Sequence, residues 1–245
     1  MAGQRRVVFQ SFRMNWPAEC AVVIPCMNEA ATIGVVVEQA RRYLPQVLVV
    51  DDGSSDATGE FAIRAGAEVI RHAVRMGKGA AILTGCRRAT ERGFGWVLAM
   101  DGDGQHAAED IPAFLAAAAG GHVDLVVGNR FAKPNQMPWL RRKVNRWMSR
   151  RLSKAAGMDL PDSQCGFRLI RLSAWSAVDV RTRHFEIESE MLLGFAARGF
   201  KIGFVPVQSI YRDERSKIHP WRDTWRWFSW WRHVRAKAKN PPQNN

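Results

Sequence analysis

The segment Val97–His106, VLAMDGDGQH, ends an apolar run in two carboxylates, Asp101 and Asp103, each followed by a glycine. If the run is a strand, its period of two puts both acids on the same side of the chain. Gly102 and Gly104 let the backbone turn and come close to a bound group. Two hard oxygen ligands at a strand's end suit Mg²⁺ or Mn²⁺, which take one or two carboxylates and complete their shell with phosphate oxygens. An exposed polar turn closing a strand would carry the same residues, so the motif needs support from elsewhere in the chain. An EF-hand loop counted from Asp101 requires Gly at the sixth and Glu at the twelfth position, where this chain has His106 and Pro112. Neither a GxGxxG fingerprint nor a GxxxxGK(S/T) loop occurs, and Gly77-Lys78-Gly79 is too short for a cradle of that kind.

The elements that must position these acids alternate along the first half of the chain. Strands are expected at Cys20–Pro25, Gln46–Val50, Glu68–Arg71, Trp96–Met100 and Asp124–Gly128. Helices are expected at Thr32–Tyr43, Asp56–Ala65, Lys78–Arg92 and Ala108–Ala118. This order predicts an α/β fold with a doubly wound, mostly parallel sheet and helices on both faces. Continuous apolar strands such as Val47–Val50 fit a sheet covered on both sides. Ligands of such folds bind at the carboxyl ends of the strands. At those ends the chain places Asn28 and Glu29, then Asp51 and Asp52, then Asp101 and Asp103. That agreement favours a site over three unrelated loops, and so many acids would hold an anionic ligand only through a metal.

The chain has 245 residues, 47% of them hydrophobic, enough for one large domain with a proper core. Its formal charge of +13 calls for a polyanionic partner or surface. Cys20, Cys26, Cys86 and Cys165 form no CxxC pair and no zinc spacing, which fits buried thiols in a reducing compartment. There is no apolar h-region behind Arg5 and Arg6 and no run of 18 apolar residues, so neither a signal peptide nor a membrane span is expected.

Seven motifs in order, IPCMNEAATI at 24–33, VVDDGSSDAT at 49–58, GKGAA at 77–81, MDGDGQH at 100–106, GNR at 128–130, DSQCGFRLI at 162–170 and RSK at 215–217, carry a family resemblance. The chain resembles family 2 glycosyltransferases of the GT-A fold, and within them the polyprenyl-phosphate branch that includes dolichyl-phosphate mannose synthases. The resemblance covers roughly residues 21–217 and implies a role for each matching position. Pro25, Met27, Glu29, Val50 and Asp52 would line the nucleobase and ribose pocket, with Met27 standing where the mannose synthases often carry Tyr. Asp101 would touch ribose or metal, Asp103 would bind the metal directly, and Gln105 would be a third ligand. Lys78 and Gly102 would contact the nucleotide. Arg130, Arg215 and Lys217 would hold the diphosphate and the acceptor phosphate. Asp162 and Arg168 would shape the acceptor side, with Cys165 in place of the family's usual small Ser. The catalytic set implied is Asp103, Arg130, Arg168, Glu188 and Lys217, with Mg²⁺ or Mn²⁺ as cofactor.

The implied reaction is a single displacement with inversion, from a nucleotide sugar such as GDP-mannose or a UDP-hexose to a polyprenyl phosphate. A metal on the diphosphate neutralises charge as the glycosidic bond breaks, and basic side chains add preorganised stabilisation there. A sugar hydroxyl acceptor needs a general base, whereas a phosphate monoester, with a second pKa near ~6, is already a dianion at neutral pH. The run Glu186, Glu188, Glu190 leaves two readings open: carboxylates in the first turn of a helix, where the macrodipole favours them, or a base for a lipid or glycan hydroxyl. His106 reads as a loop residue.

Two segments carry the excess charge. Leu140–Lys154 holds seven Lys or Arg and no acid, and WRDTWRWFSWWRHVRAKAK follows from Trp221. As a helix the latter puts Arg222, Arg226, Ser229 and His233 on one stripe, with Trp221, Trp225, Trp227, Phe228, Trp231 and Val234 on the broad remaining face. A basic amphipathic helix rich in Trp reads as lying in a membrane interface; packing on the core or on a second subunit would use the same residues. The expected organisation is an N-terminal arm at 1–18, a catalytic domain at 19–217 and an amphipathic segment at 218–245. The expected location is cytoplasmic, peripheral on the cytoplasmic face of an anionic membrane. Nucleic acid is not expected as a partner, because the aligned carboxylates would repel it. A nucleotidyltransferase would need a Gly-rich basic loop where this chain has Cys26-Met27-Asn28-Glu29.

Overall fold

The strand residues of this chain alternate between two apolar clusters, and that alternation builds the fold. In β1 (Cys20–Cys26), Val22 and Ile24 join one cluster and Ala21 and Val23 the other. In β2 (Val47–Asp51), Val47 and Val49 oppose Leu48; in β4 (Trp96–Ala99), Leu98 opposes Val97. A strand apolar on both sides needs a helical layer on each face. The computed structural model describes residues 14–134, 136–210, 225–232 and 234, and supplies both layers. Helix α4 (Lys78–Glu91) covers one face through Ile82, Cys86 and Ala89. On the other lie α2 (Ile33–Arg41), α5 (Ile111–Ala119), α6 (Trp139–Ala156) and most of α8 (Ile187–Ala197). Helices α1 (Trp16–Glu19), α3 (Thr58–Arg64) and α7 (Leu172–Ser176) are shorter.

With β3 (Glu68–Arg71), β5 (Leu125–Asn129), β6 (Arg168–Arg171) and β7 (Ile202–Pro206), the sheet has seven strands in the order β3-β2-β1-β4-β6-β5-β7. It is parallel except at β6, which runs antiparallel to both β4 and β5. The doubly wound, mostly parallel sheet expected from the sequence is therefore present. The chain winds outward from β1 to β2 and β3, then returns to place β4 on the other side of β1. That reversal is a topological switch point, where such sheets open a crevice at their carboxyl ends.

Several element boundaries differ from expectation for local reasons. The expected helix at Ala108–Ala118 is split into a 3₁₀ turn (Ala108–Asp110) and α5, because Pro112 lacks an N–H and suits only a first turn. Helix α3 starts two residues late because Asp56 is engaged in the loop, where its carboxylate accepts the N–H groups of Thr58 and Ala30. Within the expected arm, Met14 and Trp16 pack against the core, and Trp16 meets Trp96 edge to face at 5.7 Å. The expected boundary at 217/218 and residues 1–13 and 235–245 lie outside the described residues.

Helix α4 approaches β1 closely because Gly85 has no side chain: a Cβ there would run into the Val23 methyls. Gly85→Ala gains about 1 kcal/mol of helix propensity but overpacks this contact, at a cost of about 1–3 kcal/mol. We expect a net loss of stability in urea titration, relieved when Val23→Ala is combined with it.

Candidate active site

The carboxyl ends of β2, β1 and β4 lie side by side, and each continues into one of the acidic loops. Asn28, after β1, holds a left-handed conformation at φ 55°, which Asn tolerates better than most residues. Its N–H donates to Ser54 Oγ and its Oδ1 accepts the Ser55 N–H. The Glu29 N–H donates to Thr58 Oγ1. The polar run after β2 thus serves as a scaffold for the loop after β1. Asp51 accepts the Ser54 N–H inside this scaffold. Asp52 takes the N–H groups of Met76 and Gly77 at 2.8 and 2.7 Å and the His72 Nδ1 at 2.8 Å, which fixes the start of α4. Thr32 ties α2 to the acidic turn after β4 by donating to the Gly102 carbonyl at 2.7 Å.

These loops enclose a cleft of about 180 Å³. Of the residues expected to bind nucleotide or metal, Pro25, Met27, Glu29, Asp52, Lys78, Asp101, Gly102, Asp103 and Gln105 line it, as does Arg130. Val50 does not: it is fully buried within β2, which corrects its assignment to the nucleobase pocket. Arg215 and Lys217 lie outside the described residues.

Lys78 is the electrostatic centre of the cleft. Its Nζ sits 2.7 Å from Asp101 Oδ1 and 2.7 Å from Glu188 Oε1. Burial alone would pull this ammonium down, but the two carboxylates outweigh it and hold it above its ordinary pKa. Burial likewise pushes Asp101 up, yet Lys78, His106 and Arg130 bring it down to about 2. Asp103 is raised, first by burial and then by the Asp101 charge. His106 is lowered by burial despite both acids, and its Nδ1 accepts the Asp101 N–H at 3.1 Å. Its ring stacks on Phe167 at 4.9 Å. His106 therefore does more than close a loop: it supports the backbone of a site acid. The residues fit a divalent cation. Asp101 and Asp103 bring hard oxygens into one cleft, burial and the Asp101 charge together raise Asp103, and Gln105 lines the same cleft. This donor set is too small for a protein-only cage and suits Mg²⁺ or Mn²⁺ completing its shell with phosphate oxygens.

Arg130 forks onto Asp162, with Nε and Nη2 each 2.8 Å from a carboxylate oxygen, and still reaches the cleft. A buried bidentate pair fixes the guanidinium in place. Arg168, expected at the acceptor side, is corrected to a structural role. It is 1% exposed and donates to the carbonyls of Cys165, Glu188 and Ser163 at 2.8, 2.6 and 2.9 Å. The acidic run begins α8, and its members diverge: Glu188 holds Lys78, while Glu190 accepts the N–H groups of Arg181 and Thr182 and staples the loop before α8. Sequence reasoning missed Arg75, Arg141, Gly166, His184 and Arg226, all of which line the cleft. Gly166 carried a signal as the glycine of a motif, where a Cβ would crowd Lys78 and Asp101; Arg141 and Arg226 lie in the two basic segments, whose charge by itself does not point to a cleft.

The sheet order and the switch-point cleft with its Asp-x-Asp turn belong to a GT-A-like fold. The family model of glycosyl transferase family 2 matches residues 21–178, more than half of the chain, and the protein belongs to that family and is a glycosyltransferase. Glycosyltransferase AglJ of Haloferax volcanii is 35% identical over 235 residues, covering 93% of this chain and 75% of AglJ. The undecaprenyl-phosphate mannosyltransferase of Micrococcus luteus is 30% identical over 204 residues, covering 78% of this chain and 83% of its own length. Glucosyl-3-phosphoglycerate synthase from Mycobacterium tuberculosis, crystallised with Mn²⁺, UDP and glucosyl-3-phosphoglycerate, shares the fold at TM-score 0.66 and 19% identity, covering 87% of this chain and 80% of that one.

Two variants test these assignments. Arg168→Met leaves three buried carbonyls without their donor, at about 1–3 kcal/mol each; a loss of at least about 3 kcal/mol in urea unfolding is expected. Asp101 is held below its ordinary 3.8, so its stabilisation is present above about pH 4 and lost as pH falls through about 2. Lys78→Met removes that contribution. In chelator, its stability deficit against the natural protein should be widest above about pH 4 and close toward pH 2, read from urea midpoints across that range.

Proposed function

We propose that the protein transfers a hexose from a nucleotide sugar to the phosphate of a membrane polyprenyl phosphate, with inversion at the anomeric carbon. The observation that carries this reading is the pairing of charges in one cleft. The carboxylates Glu29, Asp52, Asp101, Asp103 and Glu188 share it with Arg75, Lys78, Arg130, Arg141 and Arg226. The cations equal these acids in number, so a divalent ion beside Asp101 and Asp103 would leave the cleft net positive, which suits a diphosphate donor together with a phosphate acceptor. Arg141 and Arg226 come from the two basic helices rather than from strand ends, which suits an acceptor arriving from another direction than the donor. Similarity to the undecaprenyl-phosphate mannosyltransferase of Micrococcus luteus supports a polyprenyl-phosphate acceptor, and the Mn²⁺ and UDP of the Mycobacterium tuberculosis structure support a metal-assisted nucleotide-sugar donor.

In this reading Pro25, Met27, Glu29 and Asp52 hold the nucleoside, and Asp101, Asp103 and Gln105 would hold Mg²⁺ or Mn²⁺. The ion would supply charge neutralisation at the departing diphosphate. Lys78 and Arg130, fixed by Glu188 and Asp162, add positive charge preorganised in the same cleft. A phosphate oxygen of the acceptor attacks the anomeric carbon as the bond to the nucleoside diphosphate breaks. The acceptor is a dianion at neutral pH and gives up no proton, so no base is required. The donor is a GDP-mannose or UDP-hexose type of nucleotide sugar. A polyprenyl tail keeps the acceptor in a bilayer, so the enzyme works as a peripheral protein at a membrane surface; among the described residues no helix is long and apolar enough to cross one. One observation favours a second reading, transfer to a lipid or glycan hydroxyl: the Glu188 carboxylate stands on the cleft wall.

The test is incubation with Mn²⁺, a short polyprenyl phosphate and a panel of labelled nucleotide sugars. We expect acid-labile label in the organic phase from one donor, reduced about a hundredfold or more in Asp103→Ala. Nucleotide binding without transfer to phosphate, together with transfer to a hydroxyl that Glu188→Gln abolishes, would replace this reading with the second.

A further inference from the structure

Helix α6 has an outward stripe that the site does not use. Trp139, Lys143, Arg146, Arg150 and Lys154 recur at i, i+4, i+7, i+11 and i+15, and all are exposed. The opposite side, Asn145, Met148, Ser149 and Leu152, is buried. The stripe runs about 22 Å along the axis, and the helix contains no acid. Lys143 lies over the Trp139 ring at 4.7 Å, and Leu140 beside it is 56% exposed.

The C-terminal helix, helical at 225–232, lies beside α6 and divides its aromatics between two sides. Trp227 and Trp231 are buried, and the Trp227 Nε1–H donates to Ser189 Oγ of α8 at 2.9 Å. Trp147 of α6 meets Trp227 and Phe228 at 5.7 and 5.1 Å, which joins the two helices. This corrects the simple amphipathic wheel: half of its aromatic face packs on the core, and Arg226, placed on the polar stripe, lines the cleft. What faces outward is Trp225, Phe228, Ser229 and Arg232. Trp225 is 73% exposed.

We infer that the joint outer face of α6 and the C-terminal helix is a docking surface for an anionic lipid bilayer. Indole rings prefer the boundary between headgroups and acyl chains, and Lys and Arg beside them meet the negative surface potential of anionic lipids. Charge complementarity selects the occupant: a face of cations and exposed indoles without acids on α6 repels a second copy of the same face. Arg141 and Arg226, on these same helices, then place the cleft next to the bilayer. That last step rests on the proposed acceptor; the docking surface itself does not.

Co-sedimentation of the full chain with phosphatidylcholine vesicles, with and without phosphatidylglycerol, tests this. Binding is expected to the anionic vesicles and to be weakened about tenfold in Trp139→Ala/Trp225→Ala. Lys143→Glu/Arg150→Glu should lose about tenfold or more of the preference for anionic vesicles. Both variants should keep the circular dichroism and nucleotide binding of the natural protein. Unchanged vesicle binding in both variants, displacement from vesicles by an RNA oligonucleotide, or a dimer that the Trp variants dissociate would each overturn the inference. Vesicle binding needs no turnover. Bound protein that fails to glycosylate polyprenyl phosphate would sink only the proposed acceptor, and transfer to a short soluble prenyl phosphate by protein that ignores vesicles would sink only the docking surface.

Discussion

Three neighbouring parallel strands deliver carboxylates to one crevice, and the repulsion among them is the constraint that the surrounding structure answers. Each acid is balanced by a different means. Asp51 and Asp52 accept backbone N–H groups, and in doing so they fix the loops that shape the cleft. Asp101 and Glu188 share the Lys78 ammonium. Asp162 is matched by Arg130. Asp103 stands apart: its Oδ1 accepts one N–H, from Gln105, and burial and the Asp101 charge hold its pKa up. A carboxylate held up in this way suits a cation brought with the substrate's phosphates.

The same balance explains why distant parts of the chain converge here. Lys78 reaches the cleft because Asp52 gathers the N–H groups just before α4. Glu188 is held in place because the single guanidinium of the buried Arg168 donates to the carbonyls of Ser163, Cys165 and Glu188. Gly166 keeps that segment close to Lys78 and Asp101. The first half of the chain thus supplies Asp51, Asp52, Asp101 and Asp103 with most of the groups that hold them, and the second half supplies Glu188, the Arg130–Asp162 pair and the two basic helices.

The first five strands were legible because their apolar runs are continuous and bounded by turn residues. Strand β6 was not: it is four residues long, begins with a buried arginine, and pairs antiparallel with strands remote in sequence. Local pattern cannot report a pairing fixed by long-range contacts. For the same reason Arg168 looked like a site residue, since a charged side chain in a motif reads alike whether it faces a ligand or three carbonyls. The aromatics of the C-terminal helix were similarly ambiguous, because a helical wheel separates polar from apolar but does not say which apolar side finds a core.

The sequence by itself determined the doubly wound order, the acidic loops at the carboxyl ends of the strands, the family and the excess of positive charge, all of which depend on residue type and short-range spacing. The tertiary structure alone decided which charges meet: Lys78 with Asp101 and Glu188, Arg130 with Asp162, and Arg141 and Arg226 in the cleft. Those partners are separated by tens of residues or more, and only chain reversal and packing bring them within hydrogen-bonding distance or into one cavity.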